Sequence, residues 1–160
     1  MNSRSQNDPN EGKRKRSNPA CFVCGSQNPG GIHLSFRVTS SKVSAEWVPS
    51  DMLESFEGTI HGGIIATVMD EAMSQAIMAR DWEAVTAELN VRYRAYVSPG
   101  ESLFVSGWLV SRHKKLIKAE ASVRTSAGDE RAHAWGTFLV VREQESETPK
   151  LVTEELVRCG

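Results

Sequence analysis

The chain has 160 residues, about one domain by the usual span of roughly 100–200 residues, with 19 lysines and arginines against 20 aspartates and glutamates. That balance excludes a whole-surface affinity for nucleic acid or membrane, so any anionic ligand must be met by a local patch. The composition, 39% hydrophobic, suits a folded protein. No apolar run nears the roughly 18 residues of a membrane span, and the polar N-terminus lacks a secretory leader, so a cytoplasmic location is the default.

Residues 1–18, "MNSRSQNDPNEGKRKRSN", carry no bulky apolar side chain after Met1 and are expected to form a disordered polar arm. The "KRKR" within it reads as solvated charge rather than a polyanion signal. Cys21 and Cys24 form a CxxC, with Cys159 far behind; three cysteines are too few for a disulfide framework and fit a reducing compartment. A second ligand pair of comparable spacing is absent, and His33, His61, His113 and His133 are scattered. The CxxC is therefore read as packing a loop, and no metal or cofactor is expected.

"HLSFRV" (33–38) and "KVSAEWV" (42–48) alternate apolar with polar residues, the period of half-buried strands, and pair as a hairpin across "TSS". Next comes "TIHGGIIATVMDEAM" (59–73), where a helix is expected from about Gly62 to Arg80. At 3.6 residues per turn Ile65, Met69, Ala72, Met73 and Ala76 share one face, Thr67, Glu71, Ser74 and Gln75 the other, and Asp70 lies at the border. Four further strand-like runs follow at 84–97, 102–112, 116–125 and 131–141, separated by "SPGE", "RHKK" and "SAGD". The remaining "EQESETPKLVTEELVRCG" (143–160) reads as a charged peripheral tail with room for one short helix.

Short connections imply antiparallel neighbours. The fold class is α+β: a strongly curved antiparallel sheet wrapped round one long, mostly apolar helix, within a domain spanning residues 19–142. One such unit leaves a flank of the helix uncovered, which argues for a homodimer and permits a dimer of dimers. Trp47, Phe56 and Met73 are expected to pack the core.

Three stretches, "CFVCGSQNPGGIHLSF" (21–36), "EGTIHGGIIATVMDEAM" (57–73) and "AVTAELNVRYRAYVSPGESLFVSG" (84–107), resemble the hotdog-fold acyl-CoA thioesterases, in particular the phenylacetate-degradation and THEM-type branch. The resemblance implies that the helix opens at the HGG and that the N–H after the histidine faces the thioester carbonyl. Gly62 would then be the oxyanion donor, His61 would orient the substrate, and Asp70, nine positions after His61, would be the catalytic acid. Thr86 matches a hydroxyl that relatives contribute from the facing subunit to hold the attacking water. Ser55 stands where some relatives carry Asn or Gln, so the acyl preference here is expected to differ. The substrate that the resemblance implies is an acyl-CoA, with no nucleic acid or membrane partner.

The residues support this chemistry independently. A helix start offers unsatisfied N–H groups and the positive end of the macrodipole, and Gly62 and Gly63 let a substrate approach that backbone. A carboxylate at the margin of a buried helix needs a partner, because isolated burial of charge is costly. Eight or nine residues of helix set Asp70 about 12–14 Å from the Gly62 amide, too far for one carbonyl. The two groups meet only if a second copy brings its Asp70 alongside. Glu71 is read as a solvated or interface acid at the substrate's margin, exchanging roles with Asp70 if the register slips by one. Arg92, Arg94, Arg112, Lys114 and Lys115 could meet the phosphates of coenzyme A. The alternatives are a sensor that binds acyl-CoA or an acyl carrier without turnover, and an interaction protein using "KRKR" and the CxxC loop.

Overall fold

The computed structural model describes residues 18–39, 41–143 and 155–157, the last three as backbone. In chain order it contains β1 (Phe36–Val38), β2 (Val43–Trp47), a 3-10 turn (Asp51–Leu53), β3 (Glu54–Phe56), β4 (Thr59–Ile60) and α1 (Gly62–Met78). These are followed by β5 (Trp82–Tyr93), β6 (Leu103–His113), β7 (Leu116–Thr125), β8 (Glu130–Glu143) and β9 (Glu155–Val157). Seven strands form one sheet in the order β5-β8-β7-β6-β2-β1-β9, every adjacent pair antiparallel. β3 and β4 make a separate ribbon that leads straight into α1. The expected α+β architecture, a curved antiparallel sheet around one long helix, is the one observed.

Period-two alternation sends one side of each long strand onto the helix. Leu103 and Val105 of β6, Ile117, Ala119, Ala121 and Val123 of β7, and Ala132, Ala134, Phe138 and Val140 of β8 are buried. They enclose Ile65, Val68, Met69, Ala72, Met73, Ala76 and Ile77 of α1. The alanines of β7 and β8 make room for the helix, and Gly107 of β6 marks its closest approach. A Cβ built there would lie 2.3 Å from the Ala72 carbonyl oxygen and 2.9 Å from the Met73 nitrogen. Backbone cannot retreat as a flexible side chain can, so Gly107→Ala is expected to cost about 1–3 kcal/mol, the range for overpacking a core. A urea-unfolding midpoint equal to that of the parent chain would contradict this contact.

Several boundaries move relative to the sequence expectations. The strand expected from residue 33 starts at Phe36, and β5 runs from Trp82 to Tyr93. α1 stops at Met78, with Arg80 and Asp81 closing a turn onto Ile77 and Met78. Gln75, expected on the polar face, is 2% exposed, whereas Phe56, expected in the core, is 79% exposed on β3. Trp47 and Met73 are core residues as expected. The tail has a strand, β9, where a short helix was expected, and it pairs with β1 at the sheet edge. The polar arm of residues 1–17 and the third cysteine, Cys159, lie outside the described residues.

Candidate active site

The first turn of α1 is held from three sides. The His61 N–H donates to the Leu53 carbonyl at 2.9 Å and the Ile60 N–H to the Val97 carbonyl at 2.8 Å, which fixes the approach of the chain. His61 is the N-cap: its Nδ1 accepts the Gly63 N–H at 2.9 Å, so that nitrogen carries no proton in this geometry. The Ile64 N–H returns to the His61 carbonyl at 3.0 Å. The Gly62 N–H is left with no acceptor among the described residues, at the electropositive end of the helix. Of the two candidate glycines, Gly62 is thus the available donor and Gly63 is engaged by the cap.

Tyr93, at the end of β5, donates its hydroxyl to the Gly62 carbonyl at 2.7 Å. Burial raises its pKa, keeping the phenol a donor. Sequence reasoning passed over Tyr93 because a tyrosine in a strand-like run is ordinary. Nothing local says that the end of β5 meets the start of α1.

Two turns along the helix, Asp70 is half-buried and accepts the Thr86 hydroxyl at Oδ1, 2.8 Å away. Its pKa is raised by burial first and by the neighbouring Glu71 charge last, with the Thr86 hydrogen bond pulling the other way between them. Thr86 and the Asp70 it touches belong to the same chain. In a site shared between two copies both therefore come from one of them, and the Gly62 N–H from the other.

Glu71 departs from its expected setting. It is half-buried, its Oε1 accepting the Gln75 amide at 2.7 Å and its Oε2 lying 3.9 Å from the Cys21 sulfur. The two acids therefore occupy different surroundings, Asp70 towards β5 and Glu71 towards the loop that precedes β1.

The expected basic residues separate into two groups. Arg92 and Arg94 flank Tyr93 near Gly62, but Arg94 is bound to Glu130 at 2.5 Å. Arg92 pairs in register with His133, on the strand face turned away from Tyr93, and is exposed. Arg112 and Lys114 sit at the β6–β7 turn, where Arg112 stacks 4.2 Å over the Trp82 ring and bonds Glu143. Trp82 begins β5 just after α1 ends, so this second group is remote from Gly62 within one chain. Ser55 is exposed on β3, in the ribbon that delivers His61.

A helix that opens on a capped HGG, enclosed by an antiparallel sheet and carrying a hydroxyl-bound carboxylate, defines a protein of the hotdog type. The thioesterase superfamily model matches residues 57–132, from the ribbon before α1 to the start of β8. A Saccharolobus solfataricus protein whose name proposes an esterase is 31% identical over 101 residues, 62% of this chain and 67% of that protein. The chain belongs to the thioesterase superfamily. In fold it is similar to a Streptococcus mutans protein solved bound to acetyl CoA (TM-score 0.65, 21% identity, 69% of this chain and 91% of that one). It is likewise similar to zebra fish thioesterase superfamily member 2 (TM-score 0.65, 22% identity, 74% and 90%).

Proposed function

We propose that the protein is a cytoplasmic acyl-CoA thioesterase working as a homodimer, with Asp70 and Thr86 from one copy and the Gly62 N–H from the other. The observation that carries this reading is the pair formed by a half-buried carboxylate held by a hydroxyl and an open helix-start N–H. Water adds to the acyl carbon, the carbonyl electrons shift onto oxygen against the Gly62 N–H, and the C–S bond breaks as that oxygen's charge collapses back. The proton of the water goes to the departing thiolate, and a carboxylic acid and free thiol result. Asp70 serves either as the base that takes the water's proton or as a nucleophile whose acyl anhydride water then opens. His61 positions the donor through its cap, and Tyr93 fixes the peptide plane that follows Gly62.

Support for a shared site comes from β5. It is an edge strand, and its central residues Val85, Thr86, Ala87 and Glu88 are all exposed although Thr86 among them holds the half-buried Asp70 carboxylate. An edge of this length with exposed backbone groups is a template for pairing with another chain. The acetyl CoA bound by the Streptococcus mutans protein supports coenzyme A as the carrier. Of the five basic residues expected to meet its phosphates, Arg92, Lys114 and Lys115 have no ion pair among the described residues.

Thiol release from short, medium, long and aromatic acyl-CoAs tests the reading. Turnover of at least one substrate supports it, and binding without turnover gives the site to a sensor. A finer test uses Thr86→Val. The lost hydroxyl had favoured the ionised carboxylate, so the Asp70 pKa rises further and the acid limb of kcat/KM moves to higher pH. A limb that stays in place, or moves down, would detach Thr86 from the reacting carboxylate.

A further inference from the structure

We infer that Cys21, Cys24 and Glu71 form a binding site for one thiophilic divalent cation, Zn2+ by the chemistry of the donors. One ligand atom from each of the three lies within 4.8 Å of the others. Ligands held at about 2.3 Å (sulfur) and 2.0 Å (oxygen) by one tetrahedral ion lie about 3.5 Å apart. Cys21 Sγ and Glu71 Oε2, 3.9 Å apart, are within a few tenths of an ångström of that separation, and side-chain movement of about an ångström brings all three donors, already within 4.8 Å of one another, onto one ion. Two sulfurs and one carboxylate suit zinc and leave a fourth position for water or a further donor.

The surroundings are built for this arrangement. Gln75, itself buried to 2% exposure, grips Glu71 Oε1 at 2.7 Å and so turns Oε2 towards Cys21. The same amide nitrogen lies 3.6 Å from Cys24 Sγ, a donor to a sulfur that would carry negative charge. The two cysteines are presented from one tight turn, in which the Cys21 N–H bonds Asn18 and the Gly25 N–H bonds the Cys21 carbonyl. Gly25 is what allows that turn: a Cβ there would lie 2.4 Å from the Cys21 nitrogen and 2.5 Å from the Pro19 carbonyl oxygen. A CxxC read from sequence wants a second pair of Cys or His, and the chain carries none of comparable spacing. Here the third donor comes from the middle of α1, a distance in sequence that spacing rules do not search. The ion would join the loop before β1 to the helix, independently of whether the protein hydrolyses thioesters.

The test uses the full chain in a Cys159→Ser background, so that every thiol signal comes from the loop. Reduced protein is titrated with Co2+ and then Zn2+. Expected are sulfur-to-cobalt charge-transfer absorption, its displacement by Zn2+, and protection of both thiols from alkylation. Gln75→Ala should weaken binding by about 10–100-fold, the usual effect of losing a partner that orients a ligand. Glu71→Gln should weaken it at least as much while keeping the fold, as judged by circular dichroism. Absence of charge-transfer absorption in reduced folded protein, or binding that is unchanged in Glu71→Gln, overturns the site. So does a chain isolated under reducing conditions whose two loop thiols alkylate equally fast with and without Zn2+.

Discussion

Asp70→Asn is expected to lower kcat by about 10²–10⁴-fold, the contribution typical of a positioned general base. The amide is nearly isosteric and keeps an oxygen for the Thr86 hydroxyl, so the local geometry survives. What is lost is the charge, and with it the ability to accept a proton or attack carbon. Burial of Asp70 also sets the sign of the stability change. Burial raises the Asp70 pKa in the folded chain, which means that its ionised form is disfavoured there relative to the unfolded chain. The wild type therefore loses stability as pH rises through the unfolded-state value towards the raised one. Above that window Asp70→Asn should melt at the same temperature or higher. Thiol-release kinetics and thermal melts at neutral pH check both halves, and an inactive variant that also melts early would have lost its fold rather than its chemistry. Label on the Asp70 carboxylate after a single turnover in heavy-oxygen water would establish the nucleophilic route, with water opening the anhydride at the Asp70 carbonyl, because general-base catalysis sends the label only to the product acid.

Gly62→Pro is the second large effect, with about 10²–10³-fold expected in kcat from loss of one oxyanion donor. Proline removes the N–H and little else at this position. Gly62 is the first residue of α1, where proline is favoured, and His61 before it has φ −58 and ψ 129, the extended conformation that a following proline requires. A Cβ at Gly62 meets the Tyr93 ring at 3.4 Å, an ordinary contact. A folded, inactive protein is the expected result. If the site is shared, mixing Gly62→Pro chains with Asp70→Asn chains restores activity, since a hybrid dimer holds one site with both groups intact. Equal inactivity of the mixture, with exchange of chains demonstrated, would place the Gly62 N–H and Asp70 in one chain or outside the chemistry.

Much of the fold was legible because its signals are local. Alternation marked β2, β6, β7 and β8, and the helical spacing of Ile65, Met69, Ala72, Met73 and Ala76 located the buried side of α1. The HGG with its following acid marked the candidate site, whose Gly62 N–H and Asp70 carboxylate the fold presents as an open donor and a hydroxyl-bound acid. What escaped depends on contacts between distant segments. Gln75 looks like a surface residue in the helical pattern, yet it is buried and reaches Cys24 in a loop 51 residues away. Phe56 looks like core, yet it sits on a two-stranded ribbon that the main sheet does not cover. β9 is unrecognisable in a charged tail because a short edge strand is specified by its neighbour β1 as much as by its own side chains. Tyr93 and Thr86 lie in one strand, and their partners on α1 become visible only when the strand is laid along the helix.

The contact of Gly107 with Ala72 bears on chemistry as well as on packing. A helix resting backbone to backbone on a strand behaves as a keyed shaft: it can neither rotate about its axis nor slide without lifting off the sheet. Asp70 and Glu71 follow each other at about 100° around that axis. Fixing the rotation assigns one of these two similar acids to the Thr86 hydroxyl and the other to the cysteine loop. A missing methyl group on β6 thus acts as the selector that keeps adjacent carboxylates in separate trades, and substitutions there should disturb both sites at once although neither touches Gly107.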